Sequence, residues 1–521
     1  MIYSLSSPDT IADLTEYVQG VINASAAGDT LDFGGPSQTY VTGPLTLLPG
    51  RTYTGRATLR LRDGANASFV NLASGAVVDG LTIDGNASGQ GTPSYLHGTL
   101  RGNGADDVVL RNCTVRGGYG SPVYLQHCKR ARVERNLVTG AVRPAILITG
   151  DCAEYQIASN RITDCYEDGI KINASWVEDG AVVRNCDDGR IVDNVVDYSN
   201  VDLTTAHVDG NVLGIECWLP NANKGIATNN RVKILGNTVK GPRSFTLAGD
   251  FFGISCHGSD DAMIHDNHVT GLVDWGIEAV LANRVSIRDN HVSGYQQAGI
   301  IIPAGNGTTN FCSIMGNHIG ATGRRGASGV FVNVIQGQAL CPVIQGNIFY
   351  DPGFCAVWFK NTIATAPGAG AGGRVVGNTV IYDTWVEYKS DGTLANQVYT
   401  FVTQKADGID IAGNKVVISS PALNQRVFLR IEGAAYGRCT DNIMEGTATQ
   451  PAVWVLDTAN NAGAGGWVFA RNSITGAQRA FLIDRDGADQ ATGPGCVLDN
   501  NYYRNIGAGD VLRPVDIVRG T

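Results

Sequence analysis

Two glutamates occupy the same place in a repeated phrase. Glu216 stands third in Gly214-Ile-Glu-Cys-Trp, and Glu278 stands third in Gly276-Ile-Glu-Ala-Val. Between them lies Gly253-Ile-Ser-Cys-His, and the phrase recurs as Ala145-Ile-Leu-Ile, Gly169-Ile-Lys-Ile-Asn, Gly299-Ile-Ile-Ile-Pro, Gly329-Val-Phe-Val-Asn and Ala356-Val-Trp-Phe-Lys. Each copy reads as a β-strand, whose side chains alternate between two faces. The second and fourth residues are small or apolar and suit an interior. The third and fifth then point out, in two columns on one sheet face. The first column holds Lys171, Glu216, Ser255, Glu278, Ile301, Phe331 and Trp358, and the second holds Asn173, Trp218, His257, Val280, Pro303, Asn333 and Lys360. Stacking at about 4.8 Å per strand puts the backbones of Glu216 and Glu278 about 9.6 Å apart. That lies near the upper end of the about 6.5–9.5 Å window for acid–base cleavage of a glycosidic bond with inversion, and outside the about 5 Å window for retention.

The neighbours suggest roles. Trp275 precedes Glu278 and Val280 follows it, so desolvation raises its pKa and suits it as general acid. Lys171 is one strand from Glu216 and keeps it ionised, which suits a general base. Asp250 ends the segment before Gly253-Ile-Ser255 and is either a third carboxylate over the face or a plain turn residue. Trp218, Phe331 and Trp358 are expected to face solvent, where sugar rings stack on aromatic surface. Lys171, Trp218, Ser255, His257, Trp275, Phe331 and Trp358 are the candidate substrate-binding residues. The plain alternative is a sheet face whose Glu and Lys only aid solubility. Cys256-His-Gly-Ser-Asp-Asp261 reads as a turn, with an acid pair or a calcium site as the alternatives. His265, His268, His291 and His318 read as neighbours of the repeat. No metalloprotease helix, nucleophile elbow or phosphate loop is present, and no metal or cofactor is expected.

The elements that must position these residues announce themselves through asparagine. It recurs at Asn112, Asn136, Asn160, Asn194, Asn237, Asn267, Asn290, Asn317, Asn347, Asn378, Asn414, Asn442, Asn472 and Asn500, often in phrases such as Gly-Asn-Thr-Val or Asp-Asn-His-Val. The shortest intervals are 23 and 24 residues, the signature of a solenoid. Short β-rich runs broken by Gly, Asn or Asp predict an all-β chain, a single-stranded parallel β-helix with an Asn ladder along one corner. Its hand should be right, as parallel crossovers overwhelmingly are. The intervals from Asn160 to Asn194 and from Asn194 to Asn237 are 34 and 43 residues. Long loops are therefore expected between 160 and 237, walling the face that carries the glutamates.

Residues 7–26 read as an amphipathic capping helix, with Ser7 as cap, Pro8 in the first turn and Ile11, Leu14, Val18, Val21 and Ile22 on one face. The expected organisation is an N-terminal cap over 1–54, the β-helix over 55–505 and a tail over 506–521. A net charge of −9 with scattered Lys and Arg argues against nucleic acid. No apolar run is long enough for a membrane helix. The 12 cysteines form no CxxC pair and read as small buried apolar residues. With no secretory leader at the N-terminus, they suggest folding in the cytosol.

The cap helix, the Asn phrases and Gly276-Ile-Glu-Ala-Val-Leu-Ala-Asn-Arg-Val-Ser-Ile-Arg-Asp-Asn-His-Val resemble right-handed parallel β-helix proteins of the pectate-lyase-like superfamily. Gly-Ile-Glu strands flanking a Gly-Ile-Ser strand look most like phage tailspike depolymerases and related glycoside hydrolases. The resemblance implies an endo-acting hydrolase of bacterial surface or extracellular polysaccharide, often a homotrimer, in a virion tail or outside the cell. The Asp-Pro-His-Asp motif of alginate epimerases and the full polygalacturonase set are missing. Two alternatives remain. One is a polysaccharide lyase acting on a uronate-containing glycan, with Lys171 neutralising the uronate carboxylate and His257 as base. The other is a non-catalytic glycan-binding β-helix.

Overall fold

The computed structural model describes residues 1–5, 13–174, 185–203, 211–219, 229–243, 251–271, 273–303, 308–320, 328–334, 338–340, 342–361, 372–383, 398–418, 426–434, 436–445, 451–456, 466–477, 479–485, 488–489 and 497–504. The chain divides into two compact units, 1–272 and 273–521. Both are built as a right-handed parallel β-helix, from short strands in three parallel sheets.

One coil of the first unit shows the plan. Strand Arg132–Glu134 belongs to the first sheet, Leu137–Ala141 to the second and Ile146–Thr149 to the third. Each pairs in register with its equivalent in the next coil: Val133 with Ile157, Val138 with Ile162, and Ile148 with Ile172. These residues point inward and are fully buried, so the core is a stack of aliphatic rungs. Alternation explains the pattern: in a three-residue strand only the central side chain faces the interior.

The turn between the first and second strands explains the asparagines. Its first residue has positive φ: Arg135, Ser159, Asp193, Gly236 and Asp266 in the first unit, and Asp289, Gly316, Gly346, Gly377, Gly413, Asp441 and Arg471 in the second. Its second residue is the ladder Asn. Between successive Asn rungs the side-chain carbonyl oxygen accepts from the backbone N–H and the amide of the preceding Asn, as Asn237 Oδ1 does from Asn194 at 3.0 and 2.9 Å. The amide donates back to a buried carbonyl, as Asn237 Nδ2 does to Ile191 at 2.8 Å. The first unit carries Asn136, Asn160, Asn194, Asn237 and Asn267, and the second runs from Asn290 to Asn472.

Two of the expected rungs are corrected. Thr114 pairs with Leu137, so Cys113 and not Asn112 stands at the ladder position, and Cys113 N–H donates to Asn136 Oδ1. Asn112 takes the preceding place with φ 56°. At the far end Asn501 receives the bonds of Asn472, and Asn500 is the positive-φ residue. Asn tolerates both places, since its short polar side chain suits the left-handed region. The phrase alone therefore does not separate them.

Truncating an interior rung should be costly. Asn237→Ala leaves the buried Asn194 backbone N–H without its acceptor, takes one acceptor from the Asn194 amide and removes a donor from the Ile191 carbonyl. A loss on the order of 3–5 kcal/mol is expected in chemical denaturation. Asn112→Gly, at the exposed turn position, should stay within about 1 kcal/mol of the parent. Equal losses for the two would contradict the ladder.

The helix is shorter than expected, Thr15–Ala24. Asp13 accepts the Thr15 N–H at 2.9 Å, and Leu14, Val18 and Ile22 are buried. Ser7, Pro8 and Ile11 lie outside the described residues. Gln19 ties the helix to Thr46 through reciprocal bonds of 3.0 and 2.9 Å. Parallel pairing already includes Thr30–Asp32, Thr39–Thr42 and Leu45–Thr46. Tyr502–Arg504 pairs with Ser473–Thr475 at the other end, and 505–521 lies outside the described residues. The ten described cysteines are free and buried.

Candidate active site

In the first unit the third sheet presents strands Ile170–Asn173, Val212–Trp218 and Phe251–His257 side by side. The glycines that open them are needed for close approach. A Cβ on Gly169 would stand 2.6 Å from the Gly214 carbonyl oxygen, and one on Gly214 would stand 2.6 Å from that of Gly253. Ile170, Ile215 and Ile254 then fill the interior. Register places Lys171 beside Glu216, and Glu216 beside Ser255, as the repeat predicts.

The face is not the solvated surface of the plain alternative. Glu216, Ser255 and His257 are all buried. Lys171 Nζ lies 2.7 Å from Glu216 Oε2 and 2.7 Å from Asp168 Oδ2, so one ammonium bridges two carboxylates. The side chains of Asp168 and Glu216 are only 1% and 5% exposed, and the Lys171 ammonium offsets part of the water that each has lost. Asp168 Oδ1 also accepts the Leu213 N–H at 2.8 Å, binding the charge cluster to the next coil. Burial works against the Lys171 ammonium, but Asp168 and Glu216 outweigh it and hold its pKa above the ordinary value.

Beside this cluster sits a carboxyl of the opposite character. Glu167 Oε1 accepts from Tyr95 Oη at 2.9 Å, and Oε2 accepts from Arg143 at 3.4 Å. The Arg143 guanidinium lies 3.8 Å from the Tyr95 ring centroid and reaches the Pro93 carbonyl at 3.4 Å. Tyr198 Oη donates to the Glu167 backbone carbonyl at 2.6 Å, holding the residue from the neighbouring coil. Burial, and then the charge of Asp168, push the Glu167 carboxyl up to about 7. Burial and Glu167 push Tyr95 up to about 12. Adjacent residues thus carry carboxyls in contrasting settings, one against an ammonium and one poised to hold a proton near neutrality.

Trp218 and His257 occupy the second column, with ring centroids 4.6 Å apart and planes at 75°. Trp218 is half-buried rather than fully exposed. In the second unit Glu278 is buried on strand Val273–Val280 and pairs with Ile301, itself buried. Trp275 Nε1 donates to Gln297 at 3.4 Å, and Gln297 donates to Asp274 at 2.9 Å. Phe331 and Trp358 are in register and stack at 4.7 Å with planes at 22°. Phe354 packs 5.0 Å from Trp358 on another side, and Lys360 Nζ lies 5.0 Å from the indole centroid. Both aromatics are half-buried by such contacts, which corrects the expectation of free solvent-facing platforms.

Asp250 lies outside the described residues, as do 175–184, 204–210 and 220–228, where the long loops were expected to wall the face. Sequence reasoning reached Lys171, Glu216, Ser255, Trp218 and His257 through the repeat. The repeat phrase did not reach Asp168, Glu167, Tyr95 or Arg143. The run Glu167-Asp-Gly-Ile-Lys171 carried a signal, an acid pair with a lysine three residues after Asp168. Tyr95 carried none, because it is 72 residues from Glu167.

Residues 61–243 match the family described as a right handed beta helix region. No curated protein matches the sequence. Among solved structures, the mannuronan C-5 epimerase A-module of Azotobacter vinelandii is 13% identical, with 96% of this chain and 99% of that chain covered and a TM-score of 0.37. The Dettilon tailspike protein is 11% identical, with 87% and 68% covered and a TM-score of 0.37. The catalytic unit of an alpha-1,3-glucanase from Streptomyces thermodiastaticus is 15% identical, with 82% and 65% covered and a TM-score of 0.39. None of these likenesses bears on the reaction.

Proposed function

We propose that this chain is a polysaccharide-cleaving enzyme, an endo-acting glycoside hydrolase of bacterial surface or extracellular glycans. One observation carries the reading: Glu216 is held on a strand face by Lys171 at 2.7 Å, with Trp218 and His257 in the adjoining column. An ammonium at that distance keeps a buried carboxylate ionised, as a general base requires. The half-buried indole supplies apolar surface for a sugar ring beside it. The lyase alternative needs Lys171 for a substrate carboxylate, yet two carboxylates of the protein already engage it. A homotrimer in a virion tail or outside the cell accords with the hydrolase reading and is tested by light scattering of the purified chain.

The test is incubation with a panel of purified neutral and acidic capsular polysaccharides, followed by size-exclusion chromatography and ultraviolet absorbance. Shorter chains without absorbance of an unsaturated uronate are expected. Nuclear magnetic resonance of the first-formed anomer then reads the stereochemistry, which the repeat spacing suggests is inversion. Products with the unsaturated absorbance would establish the lyase instead. Binding without any shortening would make this a non-catalytic glycan-binding coil. Trp218→Ala should raise KM several-fold with a smaller change in kcat, since stacking contributes to binding before and during reaction alike.

A further inference from the structure

Cleavage with Glu216 as base requires a proton donor, and the repeat spacing offers Glu278 for that role. The first unit contains another carboxyl, next to Asp168 in the bend that leads into the strand carrying Lys171. Glu167 is 15% exposed at its side chain, enough for contact with a bound glycan and too little for full hydration. Its two oxygens are oriented by Tyr95 at 2.9 Å and Arg143 at 3.4 Å. Tyr95 comes from a segment far away in sequence, and the Arg143 guanidinium lies against its ring. The next residue, Asp168, shares Lys171 with Glu216. One short run therefore links a carboxyl set for protonation to the clamp that keeps Glu216 charged.

We infer that Glu167 is the proton donor of the proposed cleavage, with Tyr95 and Arg143 as its positioning residues; this rests on the hydrolase reading. The Glu167 O–H gives its proton to the glycosidic oxygen as the bond from that oxygen to the anomeric carbon breaks, its electron pair leaving on the oxygen. Water adds to the anomeric carbon and gives a proton to the Glu216 carboxylate. One water is consumed, and solvent returns the proton from Glu216 to Glu167. The groups facing Glu167 set its protonation. Burial and Asp168 favour the acid form, while Tyr95, Lys171 and Arg143 favour the carboxylate, and the balance falls near neutrality. Proton transfer is most effective when donor and medium are matched in this way.

The experiment uses the full chain and the panel polysaccharide that it cleaves fastest, with Glu167→Gln, Tyr95→Phe and Glu278→Gln beside the wild type. Glu167→Gln should melt near the wild-type temperature and lose roughly a hundredfold in kcat. Its pH profile should lack the alkaline limb that the wild type shows near pH 7. Tyr95→Phe should move that limb to higher pH, because the lost hydrogen bond favoured the carboxylate. A merely structural role for Tyr95 would lower activity without moving the limb. Carbon-13 titration of the Glu167 carboxyl, assigned by comparison with Glu167→Gln, should show a midpoint near 7. A Glu167→Gln variant within about threefold of wild type with its alkaline limb intact overturns the inference, as does a limb removed by Glu278→Gln instead. A Glu167 midpoint in the ordinary range of about 4.3 also overturns it. A wild-type chain that cleaves nothing overturns the hydrolase reading and this inference together.

Discussion

Glu216→Gln is expected to lower turnover on the cleaved polysaccharide by roughly a hundredfold or more while the fold persists. The substitution keeps the shape of the side chain and removes its charge. Lys171 retains Asp168 at 2.7 Å, so no buried ammonium is stranded. Ile215 and Cys217, on either side of Glu216, are buried in the coil interior and unaffected. Thermal unfolding should therefore shift little, while kcat falls and KM changes less. That separation matters, because an equal loss of stability would point to a structural carboxylate only. Near wild-type turnover would remove Glu216 from the mechanism and leave Asp168 as the carboxylate beside Lys171.

Lys171→Met should produce the largest loss of stability of any single change on this face, about 3–5 kcal/mol at pH 7. Methionine fits the volume of the lysine stem but leaves Asp168 and Glu216 buried side by side with no cation between them. Two close carboxylates in little water cannot both stay ionised cheaply, so their native pKa values rise above those of the unfolded chain. The sign follows from linkage. Groups with raised native pKa values bind protons more tightly when folded, so the variant should regain stability as pH falls from 7 toward 4. In the wild type the Lys171 pKa is itself raised, and its contribution is complete across neutral pH and lost only in strong alkali. Urea denaturation at pH 7 and pH 5 reads both effects, with Lys171→Arg as the charge-conserving control. A loss under about 1 kcal/mol, or no recovery on acidification, would show that the clamp contributes little.

The β-helix itself was legible in the chain. A period near 24 residues, strands with one apolar centre and an Asn beside a left-handed turn residue leave few other ways to satisfy the backbone. The in-register placement of Lys171, Glu216 and Ser255, and of Asn173 and Trp218, follows from the same period, because a one-residue slip would turn every Ile170 and Ile215 out of the core. The two end rungs were misread for a local reason. Arg111-Asn-Cys and Asp499-Asn-Asn offer an Asn at both turn positions or at the first alone, and only strand pairing says which position is the rung.

Sequence alone therefore determined which residues share a face, since that depends on alternation and a repeat length, both local properties of the chain. Burial and protonation were decided by the tertiary structure. Glu216 and Lys171 read as charges on an open sheet until packing between coils closed over them and set the ammonium against the Glu216 carboxylate. Glu167 read as one acid among many until Tyr95 and Arg143 met it from elements 72 and 24 residues away. The physical reason is the range of the forces. Alternation is fixed by covalent geometry within a strand, whereas a carboxyl's charge depends on every dipole, ion and water within several ångströms, whatever its place in the chain.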